Sequence, residues 1–185
     1  IGRRLAGLLF FRRPVERLRL FGGREDFKYL TLESEKEGVI TPGERDIINS
    51  VIDFRLLSAQ DVLTPLSEAG AVRADLPLQA ARQLAKTKGV DRLPVLAADG
   101  KVSGLLDLHE LAIESQWHGT VEIFQRRILR ADASEPAAVL MRKLRSARLP
   151  MAVVRDASGA HIGVVLWEDL VRRLLLVQGP LPRVL

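Results

Sequence analysis

The 185-residue chain has 47% apolar and 28% charged residues, a composition that supports a folded core and excludes wholesale disorder. It has no cysteine, so disulfide frameworks and thiolate metal sites are excluded. Net charge is +5 with a pI near 10.1, which brings nucleic acid and anionic membrane surfaces into consideration as partners.

The basic excess is segmental. Arg3, Arg4, Arg12, Arg13, Arg17, Arg19, Arg24 and Lys28 crowd the N-terminus against Glu16, Glu25 and Asp26. Three readings stand: a solvated helix face, a juxtamembrane segment of the kind that gathers Lys and Arg on the inner side of a membrane, and a nucleic-acid contact. The apolar run from Leu5 to Phe11 is far below the roughly 20 residues that cross a bilayer. The chain opens on Ile1 without a signal-peptide pattern, and reads as a piece of a longer protein.

In chain order, residues 1 to about 20 allow an amphipathic helix interrupted at Pro14, and Gly22-Gly23 marks a turn. Residues 26–37 turn acidic. Thr41-Pro42-Gly43-Glu44 has capping-box form and starts a helix with Ile47, Ile48, Val51 and Ile52 on one face, ending near Phe54. A short helical turn from Ser58 stops before Pro65. A strand near Val72, a helix ended by Gly89, strands Pro94–Ala97 and Val102–Leu106 joined at Asp99-Gly100, and a helix from Leu108 complete one unit.

The second unit repeats the order: a strand around residues 128–130, a helix from Pro136, strands from Met151 and His161, and a helix from Glu168 to Val177. The copies align on Arg92-Leu93-Pro94 and Arg148-Leu149-Pro150, which makes the second hairpin loop three residues longer. The expected fold is of α/β (α+β type), two β-α-β-β-α repeats behind an N-terminal helical linker. The expected divisions are 1–57 for the linker, 58–119 and 120–178 for the repeats, and 179–185 for a tail.

Two such units resemble a pair of CBS domains, which implies that the repeats are related by a pseudo-twofold axis. The signature of these domains is Gly-apolar-apolar-Thr-x-x-Asp. Here it stands as Gly104-Leu-Leu-Asp107-Leu-His-Glu110 and Gly163-Val164-Val-Leu166-Trp-Glu-Asp169. Upstream, Glu37-Gly-Val-Ile-Thr41 and Asp61-Val-Leu-Thr64-Pro65 resemble the segment before the CBS pair in the CorC/CNNM, haemolysin-C-like family of magnesium and cobalt transport proteins. There the second motif is close to Val-Met-Thr-Pro-Arg; here Leu66 replaces the arginine.

The resemblance implies a cytoplasmic regulatory module of a membrane ion transport protein. It would be a homodimer through the CBS pair, attached to an upstream transmembrane domain, binding ATP, ADP or AMP, with magnesium only through the nucleotide. Carried onto this sequence, Asp169 would hold ribose and Thr64 and Pro65 would line the cleft. Arg92 would reach phosphate, and Leu93, Pro94 and Val95 would pack on the base. Glu110 is the acid of the other half-site. Asp107 and Leu166 stand where the signature has threonine, beside Gly163 and Val164, so the phosphate contacts are depleted. Arg172-Arg173 would restore positive charge.

The alternatives are a ligand-free dimerisation module and a basic nucleic-acid-binding protein. Acids such as Glu110 and Asp169 also favour a helix start without any ligand. Trp117 and Trp167 read as packing or dimer-interface residues. His109, His118 and His161 have no metal-ligand spacing, and no P-loop, triad or dinucleotide glycine motif occurs, so neither metal binding nor catalysis is expected.

Overall fold

The computed structural model describes residues 23–111 and 118–175. The readings of a basic N-terminal helix, Trp117 and a C-terminal tail concern residues outside these. The chain divides after Asn49 into two compact units.

The first unit contains α1 (Arg24–Lys36) and most of α2 (Pro42–Phe54). The acidic stretch is thus helical, with Glu25 and Asp26 in the first turn and Lys36 in the last, a charge order that suits the helix dipole. Sequence periodicity misses α1 because none of its residues is buried. At α2 the capping box forms as expected: the Thr41 N–H donates to Glu44 Oε2 at 2.7 Å, and the Glu44 N–H donates to Thr41 Oγ1 at 3.3 Å. Within the unit, Thr31 Oγ1 donates to Asn49 Oδ1 at 3.1 Å.

The second unit carries the repeats. The first copy has β2 (Val72–Arg73), α4 (Leu78–Lys88), β3 (Arg92–Leu96), β4 (Val102–Asp107) and α5 (Leu108–Leu111). The second has β5 (Leu129–Asp132), α7 (Ala137–Ala147), β6 (Met151–Arg155), β7 (His161–Leu166) and α8 (Trp167–Leu175). In each copy the first strand pairs in parallel with the second, and the second pairs antiparallel with the third. The helix between the parallel strands buries one stripe: Leu78, Ala81 and Ala85 in α4, and Ala137, Leu140 and Leu144 in α7.

The register of the copies differs from the Arg-Leu-Pro alignment. Leu78 and Ala137, Gly89 and Arg148, and Gly104 and Gly163 all stand 59 residues apart at equivalent places. The two hairpin loops are equal, residues 97–101 and 156–160. Both close with the same bonds, Ala97 N–H to Lys101 O at 2.9 Å and Asp156 N–H to Ala160 O at 3.0 Å. The second Arg-Leu-Pro precedes its strand, so the expected three-residue loop difference is corrected to none.

This register gives Arg148 a specific place. It caps α7 at φ 52°, ψ 42°, where Gly89 caps α4 at φ 63°, ψ 41°. Among the described residues Arg148 is the only non-glycine with positive φ. A Cβ makes this left-handed conformation costly. Arg148→Gly is therefore expected to stabilise the protein by about 1 kcal/mol, measurable as a raised urea midpoint.

The segments ahead of the repeats are exchanged. A short helix α3 (Ala59–Val62) and strand β1 (Thr64–Pro65) precede the first copy, yet β1 pairs with β7 of the second. Ala59 and Phe54 lie in the core of the second copy with Leu140, Leu144, Val154 and Leu170. Conversely, α6 (Val121–Phe124) precedes the second copy, and Val121 lies in the core of the first with Leu78, Leu93, Val95 and Leu106. Leu105 bridges to Arg126 just as Val164 pairs with Thr64. A third cluster, Ala69, Leu105, Met151 and Val164, takes residues from both copies and joins them.

Candidate functional site

The exchange builds two equivalent junctions, each from the end of one repeat's last strand, the helix after it, and the segment that precedes the other repeat. One combines β4 and α5 with α6 and residues 125–126. The other combines β7 and α8 with α3 and β1.

In the β4 cleft a cavity of about 230 Å³ is lined by Asp107, Glu110, Ile123, Phe124, Gln125 and Arg126, with Leu111 behind. Asp107 is buried at 8% exposure and is held from two sides. Its Oδ1 accepts the His109 N–H at 3.1 Å, and its Oδ2 accepts Arg92 Nε at 3.0 Å. The Arg92 guanidinium also donates to Glu168 Oε2 at 2.9 Å, so it links the end of the β3/β4 hairpin to the first turn of α8. Burial opposes the charge on Arg92, but the two carboxylates outweigh it and raise the guanidinium above its ordinary pKa. Arg92 thus faces carboxylates in this structure. Glu110 pairs with Arg126.

At the β7 junction, β1 lies against Gly163 and Val164, with Thr64 opposite Val164 and Pro65 opposite Gly163. Only glycine permits this approach: a Cβ on Gly163 would stand 2.6 Å from the Thr64 carbonyl oxygen, and one on Gly104 would stand 2.6 Å from that of Arg126. Thr64 is half-buried and Pro65 exposed; Leu166 and Asp169 are half-buried. Arg172 donates to Asp169 Oδ1 at 3.2 Å, one turn along α8, so its charge is engaged there. Trp167 packs against the core of the second copy.

The structure therefore brings Thr64, Pro65, Gly163 and Val164 together beside the helix start that carries Asp169, and groups Asp107 with Glu110 and Arg92. It places Leu93 and Val95 in the core of the first copy, both fully buried, so neither side chain reaches a cleft. Pro94 is buried on the opposite strand face. Sequence reading overlooks Gln125, Arg126 and Glu168. The first two match Leu63 and Thr64 only through strand pairing, since no Thr-Pro recurs there.

A further cavity, of about 370 Å³, lies at the other end of the hairpins, between their tips. Its lining includes Lys101, Val102, Arg130, Arg155 and His161. The Val102 N–H donates to His161 Nδ1 at 2.8 Å, which leaves the Nε2–H tautomer. Burial, then the charges of Arg130, Arg155 and Lys101, hold this imidazole below its ordinary pKa, with Asp99 opposing. Among the described residues no cluster of His, Asp or Glu could hold a metal ion, and no helix is long and apolar enough to cross a membrane.

Residues 59–115 match the family model of the CBS domain. The chain is similar to the UPF0053 protein YhdT of Bacillus subtilis, 25% identical over 159 residues, covering 82% of this chain and 34% of that protein. It is similar to the Hemolysin C homolog of Rickettsia massiliae, 26% identical over 171 residues, covering 90% and 55%. The chain thus spans about a third to a half of the length of these relatives. Among solved structures it resembles the CBS domain of the bacterial CNNM/CorC family Mg2+ transporter, with TM-score 0.74 and 22% identity over 83% of this chain and 96% of that one. It also resembles such a domain in complex with ATP, with TM-score 0.67 and 22% identity over 72% and 98%. With its two copies in one register and its exchanged segments, the chain has the fold of a CBS-domain pair and is similar to the CorC/CNNM, haemolysin-C-like proteins.

Proposed function

We propose that this chain is the cytoplasmic regulatory CBS pair of a CorC/CNNM-like membrane ion transport protein, and that it senses an adenine nucleotide at the β7 junction. The observation that carries the reading is the pairing of Thr64-Pro65 with Val164-Gly163. It sets Thr64 beside the end of β7, from which the α8 helix start with its Asp169 carboxylate follows. A carboxylate in the first turn of a helix can accept ribose hydroxyls, while the helix start favours phosphate oxygens. The β4 cleft is less suited to phosphate: Asp107 and Glu110 both face its cavity, and its arginine is paired. Leu166, equivalent to Asp107, removes one of those repelling charges from the β7 junction. A solved relative of the same fold holds ATP.

In this role the pair forms a homodimer, receives no nucleic acid, performs no catalysis and passes its ligand state to an upstream transmembrane domain. Any such signal requires the nucleotide to prefer one arrangement of the module. Titration calorimetry with ATP, ADP and AMP, with and without magnesium, is expected to give saturable heat that Asp169→Ala weakens at least tenfold. Absence of heat and of a thermal shift at millimolar nucleotide overturns the reading.

One observation favours a second reading, a structural dimerisation module without ligand. The ion pairs Asp107–Arg92–Glu168 and Arg126–Glu110 occupy the polar groups of the β4 cleft from within. Flat titrations with a stable dimer in sedimentation select it.

A further inference from the structure

The cavity between the hairpin tips collects positive charge from three separate elements. Lys101 comes from the first hairpin, Arg130 from β5 and Arg155 from β6, with Asp99 the one carboxylate in the lining. Their own partners satisfy them unevenly. Arg155 donates to Asp132 at 2.7 Å, Lys101 meets Asp99 only at 3.9 Å, and Arg130 has no ion-pair partner among the described residues. Like charges drawn to one concave surface repel one another, and a bound anion relieves that repulsion. The two hairpins close this cavity jointly, through the bond from Val102 of one to His161 of the other.

We propose that this cavity is a binding site for a small phosphate-bearing molecule, distinct from the nucleotide site at the opposite end of the strands. Arg130 and Arg155 supply planar forks suited to phosphate oxygens, and Lys101 supplies a point charge. His161, as its Nε2–H tautomer, is a neutral donor on the same wall. Ala97 and Val102 add apolar lining. At about 370 Å³ the space exceeds what a bare phosphate fills and falls in the range of small-molecule pockets. The ligand is therefore an organic phosphate whose body rests between the tips. A ligand there bridges the two copies, so its binding resists their separation.

Pyrophosphate is a suitable probe of the charged part of the site, and the imidazole resonances of His161 are its reporter, assigned by their loss in His161→Gln. Adding pyrophosphate to the 185-residue chain is expected to shift these resonances saturably and to raise the pH at which the ring titrates. Lys101→Ala and Arg130→Ala remove exposed side chains, so folding is retained. Each is expected to weaken binding about tenfold, as loss of one charge-assisted bond does. Asp169→Ala is expected to leave pyrophosphate binding unchanged while weakening the nucleotide response at least tenfold, so the two sites fail independently. The proposal is overturned by no His161 shift at millimolar pyrophosphate, by a shift that survives the double variant Lys101→Ala/Arg130→Ala, or by one that Asp169→Ala removes.

Discussion

Gly163→Val is expected to lower the stability of the protein by about 3 kcal/mol, seen as a fall in Tm of about 6–12 °C. The cause is contact with backbone. A Cβ at this position would lie 2.6 Å from the Thr64 carbonyl oxygen and 2.7 Å from Leu63 Cδ1. The carbonyl belongs to β1 and cannot rotate aside as a side chain does, so the added carbons push β1 off β7. That separation also pulls Leu63 away from the core of the second copy, against which it packs. The consequence reaches function, because β1 positions Thr64 at the β7 junction: any nucleotide response is expected to be lost with the stability. Gly104→Val tests the same geometry in the other copy, where the Arg126 carbonyl and Gln125 Oε1 stand at 2.6 and 2.8 Å. It is expected to destabilise comparably.

Arg92→Ala is expected to cost about 3 kcal/mol. The loss of a surface charge alone would cost far less, and Glu168, more than half exposed, contributes little. The cost arises at Asp107, which keeps the His109 N–H and remains buried without its counter-charge. The second copy shows how the same position is filled without charge. Arg92 opposes Asp107 across the hairpin, and Met151 opposes Leu166 at the equivalent register. The double variant Arg92→Met/Asp107→Leu transplants that apolar pair. It is expected to recover most of the loss, leaving stability within about 1 kcal/mol of the parent chain, the residue reflecting the bond that Asp107 makes at the start of α5. Urea unfolding of Arg92→Met, Asp107→Leu and the double variant completes the cycle. Equal losses in Arg92→Ala and the double variant would show that the ion pair is not what the site requires.

These two positions also show what is legible in the sequence. The order of elements follows from strong local signals: the capping box at Thr41, the stripes Leu78-Ala81-Ala85 and Ala137-Leu140-Leu144, and the Gly100 and Gly159 turns. Each depends on neighbours within a few residues. The register of the duplication is harder to read, because a three-letter identity, Arg-Leu-Pro, outweighs a structural equivalence between Gly89 and Arg148 that no letter shows. The site is least legible. The contact of Arg92 with Glu168 spans 76 residues, and Lys101, Arg130 and Arg155 are dispersed until the strands pair. Sequence reading starts the strand at Pro94, which leaves Leu93 outside it, and does not say which strand face carries Val95 to the core. Thr64 and Asp169, by contrast, are recognisable in sequence because their motifs are contiguous.

The exchange of leading segments bears on how such a chain arises. Two identical units of about 59 residues, each lending its first helix and strand to the other, would form a swapped dimer in which neither unit is closed alone. Joining them end to end turns that dimer into one polypeptide without altering a contact. Once joined, the two halves no longer need to match: one can keep an arginine–aspartate pair where the other adopts methionine and leucine, and a glycine cap can drift to arginine. Fusion in this sense releases the halves from symmetry, and the unequal junctions and the charged space between the tips are places where the two halves differ.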